Sequence, residues 1–106
     1  MGDVGAQHFA VALKQNRTLT ILGLSDSGIG DAGAQYLADA LQYNTTLTAL
    51  NISGNRIADV GAQYLADALE HNTTLTSLSF CYNETSPDMN MEIIRLIERN
   101  KRGRNP

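Results

Sequence analysis

A repeat of 28 residues runs through the chain and constrains its fold more than any other sequence feature. The block Gly33–Leu41 recurs without change as Gly61–Leu69. Other positions recur with the same spacing: Gly5, Gly33 and Gly61; Leu13, Leu41 and Leu69; Asn16, Asn44 and Asn72; Leu19, Leu47 and Leu75; Leu22, Leu50 and Leu78. A fixed period of roughly 20–50 residues indicates supersecondary units that stack and bury a shared core.

Each unit divides into a helical half and an extended half. Apolar residues at i, i+3, i+4 and i+7 from Ala34 to Leu41 predict one buried face of a helix. We expect Asp31 to be its N-cap and Asn44 to end it in the left-handed conformation. The L-x-x-L-x-L spacing of Leu47–Ile52 predicts a short strand.

The predicted organisation is a single α/β domain in which helices and strands alternate. Its units span about residues 3–30, 31–58 and 59–86, a capping helix spans about 87–100, and a basic tail spans 101–106. Ser86 is the expected N-cap of the capping helix, and Ile93, Leu96 and Ile97 form its apolar side. Stacking should bury the recurring leucines in columns, while Gly33 and Gly61 allow close approach between layers.

The stretch Leu47–Ile57, followed by Gly61, Leu65 and Leu69, resembles a leucine-rich repeat of the ribonuclease-inhibitor type. This resemblance implies a short right-handed horseshoe solenoid with parallel strands on the concave face and helices on the convex face. Similar repeats occur in NOD-like receptors and bacterial effectors.

The C-terminal part, Asn83–Asn100, resembles the closing repeat of the actin-binding domain of tropomodulin. Asn55 and Asn83 are expected to turn inward and bond to neighbouring backbone groups, as in the asparagine ladder of leucine-rich repeats. Ser27 takes this place in the first unit, so the ladder should be weaker there.

Composition and charge narrow the classes of function. The net charge of −3 combines an acidic body, residues 1–94, with a basic end, residues 95–106, which argues against nucleic acid as the partner of the body. No apolar stretch is long enough for a membrane helix. A single cysteine, Cys81, and no visible signal peptide favour a cytoplasmic protein, or one in the host cytosol if the chain is a secreted effector.

The titratable residues do not form a recognisable active site. His8 and His71 fall on predicted helices, whereas Cys81 follows a predicted strand, so a nucleophile pair would have to span two layers. No His or Cys pair has the spacing of metal ligands. We therefore expect no catalytic residue, no metal and no cofactor, and we classify the chain as a non-enzyme.

The remaining candidate is a protein-binding surface on the concave face. Its predicted residues are Ile21, Ser25, Asp26, Ala49, Asn51, Ser53, Arg56, Ser77, Ser79, Cys81 and Tyr82. Interfaces draw most of their energy from Trp, Tyr and Arg, so Arg56 and Tyr82 are the expected anchors. The alternative is that this chain is a structural C-terminal segment of a longer repeat protein, such as a NOD-like receptor, a tropomodulin-like protein or a secreted effector, with its binding surface elsewhere.

A second surface is predicted at the N-terminal edge of the stack. Val11 stands where later units carry Asp39 and Asp67, and Phe9 stands in a leucine position. Apolar residues on a side without a neighbour indicate an interaction edge. Two explanations are open: an upstream repeat has been removed, or two chains pair through the first helix and strand. We predict the second, a homodimer with Val4, Phe9 and Val11 in contact.

Overall fold

The computed structural model describes residues 1–103, and the last part of the predicted tail, from Arg104, lies outside them. The elements in order are α1 (Gly2–Gln15), β1 (Ile21–Gly23), α2 (Asp31–Tyr43), β2 (Ala49–Asn51), α3 (Asp59–His71), β3 (Ser77–Ser79) and α4 (Pro87–Gly103). This alternation confirms the predicted α/β class. The strands are shorter than the extended segments predicted from the leucine spacing, and α4 continues past residue 100.

The strands form one parallel sheet in the order β1-β2-β3. Ile21 pairs with Ala49, and Ala49 pairs with Ser77, so neighbouring strands align residues at equivalent repeat positions. Each helix packs against the next one along the chain. Parallel strands require a crossover connection, and here a helix provides each one.

A single core fills the space between the sheet and the helices. Leu47, Leu50 and Leu75 are buried as predicted, whereas Leu22 and Leu78, in the two outer strands, are only half-buried and Leu19 is exposed at the β1 edge. In α4 the predicted apolar side is buried: Ile93, Leu96 and Ile97. Ser86 Oγ accepts a hydrogen bond from the Met89 N–H at 3.3 Å, which confirms Ser86 as the cap of α4.

An aspartate in the first turn of one helix bonds to backbone N–H groups at the start of the next helix. The sequence predicted Asp31 as the N-cap of its own helix. The N-cap of α2 is Gly30, and Asp31 is the first helical residue, so the predicted Asp31 cap is wrong. Its Oδ1 instead accepts hydrogen bonds from the N–H groups of Ala58, at 2.8 Å, and Gly61, at 3.0 Å, at the start of α3. The first N–H groups of a helix have no partner within it, and Asp31 supplies one from the preceding helix.

Equivalent aspartates bond to the start of α2 and to the residue just before α4. Asp3 Oδ1 accepts from the N–H groups of Gly30, at 2.7 Å, and Gly33, at 3.0 Å. Asp59 Oδ1 accepts from the Ser86 N–H at 2.7 Å, just before α4. Each carboxylate also places negative charge near a helix N-terminus, where the helix dipole favours it.

Asparagines join the ends of the helices. Asn44 is extended, with φ −80° and ψ 130°, so the predicted left-handed conformation is wrong. Its side chain is buried, and Nδ2 donates to the carbonyl oxygens of Leu13, at 2.8 Å, and Asn16, at 3.1 Å. Its Oδ1 accepts from the N–H groups of Thr46 and Leu47. The extended conformation turns the chain from helix to strand, and the side chain satisfies backbone groups of two units.

The predicted asparagine ladder on the other side of the sheet is confirmed. Asn55 Oδ1 accepts from the N–H groups of Ser27 and Ile29, and its Nδ2 donates to the carbonyl oxygens of Leu24 and Ile52. Buried backbone groups need hydrogen-bond partners, and the Asn55 side chain provides partners for four of them.

Replacing Asp31 tests the bridge between helix starts. Asp31→Ala should lower the free energy of unfolding by about 1–2 kcal/mol, because Ala58 and Gly61 lose the acceptor of their N–H groups. Urea denaturation followed by far-UV circular dichroism measures the change. The matched control is Asp67→Ala, which removes an exposed helical carboxylate whose one hydrogen bond within residues 1–103 comes from Gln63, and it should change stability by about 0.5 kcal/mol or less. Equal losses in the two variants would contradict the bridging role.

Candidate protein-binding surface

The predicted binding residues lie along the exposed side of the sheet, here called the strand face. The strand register aligns them in two rows: Ile21, Ala49 and Ser77, then Gly23, Asn51 and Ser79. Ser25, Ser53 and Cys81 continue the pattern after the strands. Ala49 and Ser53 are half-buried, and the other predicted positions are exposed. The structure therefore brings all the predicted residues to one side of the molecule or to the loops next to it.

The strand face is flat because most of its side chains are small. Ile21, at the β1 edge, is the large apolar exception and is 70% exposed. Asn51 Oδ1 accepts a hydrogen bond from the Ser53 N–H at 3.0 Å, so this amide is partly held by its own loop. A flat surface with few long side chains can accept an extended segment or a helix laid across the strands.

Tyr82 is the most exposed large side chain of this surface, at 88%. Its φ is +59°, in the left-handed region that favours glycine, and its repeat equivalents are also there: Asp26 with φ +53° and Gly54 with φ +70°. A bulky side chain at positive φ is uncommon and costs free energy. Tyr82 thus combines exposure and backbone strain, as residues in binding sites often do.

The loops beside the strand face are joined by backbone bonds. The Gly54 N–H donates to the Cys81 carbonyl oxygen at 2.8 Å, and the Asp26 N–H donates to the Ser53 carbonyl oxygen at 3.0 Å. Arg56 lies two positions after Gly54 and is exposed, and within residues 1–103 its guanidinium forms no ion pair. Its charge is therefore available to an acidic group of a partner.

Two residues considered for catalysis or metal binding, His71 and Cys81, lie in different parts of the fold. His71 is the last residue of α3, and Cys81 is an exposed free thiol after β3. In the described part of the chain, no cluster of His, Cys, Asp and Glu side chains has the arrangement of a metal site. None of the helices between residues 1 and 103 is long and apolar enough to cross a membrane.

The predicted N-terminal edge is formed by α1. Val4 and Val11 are exposed, and Phe9 is 42% exposed, although the equivalent Leu37 and Leu65 are buried. The difference arises because a preceding helix covers each of those leucines, while α1 is the first element.

The sequence analysis missed the strained backbone of Tyr82 as a feature of the surface. The positive φ was indicated by Gly54, one repeat earlier, because glycine at a loop position often marks the left-handed conformation.

A parallel sheet flanked by helices, with asparagines bonding between successive turns, defines a leucine-rich-repeat-like α/β protein. Residues 4–103 match the family described as TMOD/LMOD Leucine-rich domain, and the chain belongs to this family. The predicted resemblance to tropomodulin is thereby confirmed. No curated protein sequence matches this chain significantly.

Two solved structures share the fold. One is titled Leiomodin-1 Actin-Binding Site 2, with a TM-score of 0.79 and 22% identity, covering 97% of this chain and 76% of the other. The second is the tropomodulin C-terminal domain of Caenorhabditis elegans, with a TM-score of 0.58 and 14% identity, covering 96% of this chain and 78% of the other. At these identities the likeness concerns the fold.

Exchanging residues at the left-handed positions tests the strain at Tyr82. Tyr82→Gly should raise the free energy of unfolding by up to about 1 kcal/mol, because glycine adopts this φ without strain and the exposed ring contributes little packing. The matched variant Gly54→Ala places a side chain at the equivalent position, facing the Asp26 carboxylate, and should cost about 1–2 kcal/mol. Chemical denaturation measures both. A large loss on Tyr82→Gly would instead assign the ring a packing role.

Proposed function

We propose that the chain is a non-enzymatic leucine-rich-repeat solenoid that binds a protein on its concave strand face. The observation that carries the proposal is the row of small exposed side chains across three paired strands, ending beside the exposed and strained Tyr82. Small side chains admit a partner close to the backbone, and a rigid aromatic residue gives it an anchor.

Bonds at the repeat spacing support the solenoid and its 28-residue unit. Thr48 Oγ1 donates to the Thr20 carbonyl oxygen, Asn72 Nδ2 to that of Asn44, and Asn100 Nδ2 to that of Asn72, each across 28 positions. In a ribonuclease-inhibitor-like solenoid the strands line the concave face and the helices the convex face. The three units and the closing helix predicted from the sequence fit this arrangement.

Actin is the partner we propose to test first. The leiomodin structure that shares the fold is named for an actin-binding site, and this chain belongs to the family that includes such domains. A cytoskeletal partner also agrees with the proposed cytoplasmic location and with the free thiol of Cys81.

Truncating the two anchors tests the binding surface. Arg56→Ala and Tyr82→Ala should each weaken binding by about 2 kcal/mol, or roughly 30-fold in Kd, because they remove the charged and aromatic contacts of the strand face. Co-sedimentation with actin filaments and pointed-end assembly kinetics measure the affinity. The control is Glu70→Ala, an exposed change on α3 that should be nearly neutral. A loss confined to the control would place the site on the helices.

The alternative of a structural segment within a longer repeat protein makes a different prediction for the same assay. In that case this chain binds neither actin nor another protein by itself, because the contact residues belong to other repeats. A pull-down with the isolated chain separates the two proposals.

We also propose that two copies of the chain associate through the N-terminal edge. Phe9, Val4 and Val11 are exposed along α1, and within residues 1–103 no strand pairs with the outer edge of β1. β1 contains Gly23 and no charged residue, so it lacks the features that usually protect an edge strand.

Sedimentation velocity at tens of micromolar protein tests this association. The wild-type chain should sediment as a dimer, and Val11→Asp should shift it to monomer, because a carboxylate in an apolar contact must be desolvated. Thr73→Asp, which adds the same charge at an exposed position in the third unit, away from α1 and β1, is the control and should leave the dimer intact. A wild-type monomer at these concentrations would refute the proposal.

A further inference from the structure

A surface groove lies between α2 and α3, on the opposite side of the molecule from the strand face. Its volume is about 390 Å³, and its lining includes Tyr36, Asp39, Gln42, Tyr64 and Asp67. Each of the two tyrosines is 40% exposed. The lining contains two carboxylates and no basic residue.

The neighbouring groove between α1 and α2 shows what this arrangement accommodates. There Lys14 Nζ lies 2.6 Å from Asp39 Oδ2 and 5.3 Å from the centre of the Tyr43 ring. The hydrogen bond to Asp39 raises the pKa of Lys14. The chain thus fills this groove with its own lysine.

The two grooves differ at the position that supplies the cation. Gln42 stands one repeat after Lys14, and Asp67 stands one repeat after Asp39. Asp67 keeps the place of the acceptor, but a glutamine faces it instead of an ammonium group. Its only hydrogen bond in the described chain comes from Gln63 Nε2, at 2.9 Å, from the same helix.

The groove on the other side, between α3 and α4, also contains its own cation. Arg95 lies 3.5 Å from Glu70 and 2.7 Å from Glu92, and Arg99 lies 3.6 Å from Glu70. The bond with Arg95 lowers the pKa of Glu92, and the pKa of Arg95 is raised. A carboxylate therefore pairs with a basic side chain across both flanking grooves, but not across the central one.

We propose that the central groove binds a basic side chain of a protein partner, a lysine in the place that Lys14 takes one repeat earlier. The ammonium group bonds to Asp67. The half-exposed rings of Tyr36 and Tyr64, which stand at a different repeat position from the Tyr43 ring beside Lys14, line the methylene stem. This surface is separate from the strand face, so its occupation does not depend on the function proposed above.

The charge of the groove between α2 and α3 favours a lysine over an acidic or an apolar side chain. An acidic side chain would meet the Asp67 carboxylate, and an apolar one would leave that carboxylate without a cation, whereas Asp39 is already paired with Lys14. A lysine matches both the carboxylate and the aromatic walls.

The test uses the full chain and a blocked tripeptide, acetyl-Ala-Lys-Ala-amide. We expect saturable shifts of the Tyr36 and Tyr64 ring resonances in NMR titrations, and weaker binding by at least about fivefold for the same peptide with norleucine, which lacks the ammonium group. Shifts of equal size with the norleucine peptide, or none with either peptide, would overturn the proposal.

A second experiment places a basic side chain in the groove by substitution. Gln42→Lys restores the residue type of the neighbouring groove, so it should occupy the site internally and weaken peptide binding by at least about fivefold. The control Thr45→Lys adds the same charge at an exposed loop position outside the groove and should bind like the wild type, apart from a small general repulsion. Wild-type affinity in Gln42→Lys would overturn the proposal.

Discussion

The fold depends on hydrogen bonds in which a side chain of one unit satisfies the backbone of its neighbour. Asn72 is buried and donates to the carbonyl oxygens of Leu41 and Asn44, at 2.8 and 3.1 Å, while its Oδ1 accepts from the Leu75 N–H at 2.9 Å. A buried backbone group without a partner costs about 1–3 kcal/mol. Within residues 1–103, no buried side-chain polar atom lacks a partner. A single unit cannot satisfy its own turns, so stacking is a condition of folding.

The aspartate bridges explain the glycines near the starts of α2 and α3, Gly33 and Gly61. A Cβ on Gly61 would lie 2.6 Å from Asp31 Oδ1, closer than real contacts allow, and 3.0 Å from Ile57 Cγ2, which is a tight contact. At Gly33 it would meet Asp3 in the same way, at 2.7 Å. The close approach predicted for these glycines is therefore correct, but the group that approaches is the carboxylate that caps the helix. At the starts of α2 and α3, a side chain in place of the glycine would displace the bridging carboxylate.

The sequence was sufficient for the features that depend on periodicity. The burial of Ile93, next to the exposed Ile94, follows from helical spacing alone. The partners of Asp31 and Asn44 could not be predicted, because an aspartate before a helix usually caps that helix and an asparagine after one often adopts the left-handed conformation. Their actual partners lie 27 to 31 positions away and are set by the stacking distance between units. The local conformational preferences of Asp31 and Asn44 were therefore outweighed by hydrogen bonds to a neighbouring unit, which the local sequence does not reveal.

Positions that do not take part in stacking can differ between units. At these positions the surface charge changes from one unit to the next. Lys14, Gln42 and Glu70 occupy one repeat position on three successive helices, so its charge changes from positive to neutral to negative along the molecule. Lys14 and Glu70 are satisfied internally, by Asp39 and by Arg95 respectively. Only the neutral position leaves the facing carboxylate available to another molecule. A chain built from nearly identical units therefore presents grooves of unequal charge, and a binding partner can recognise one unit among equivalent ones.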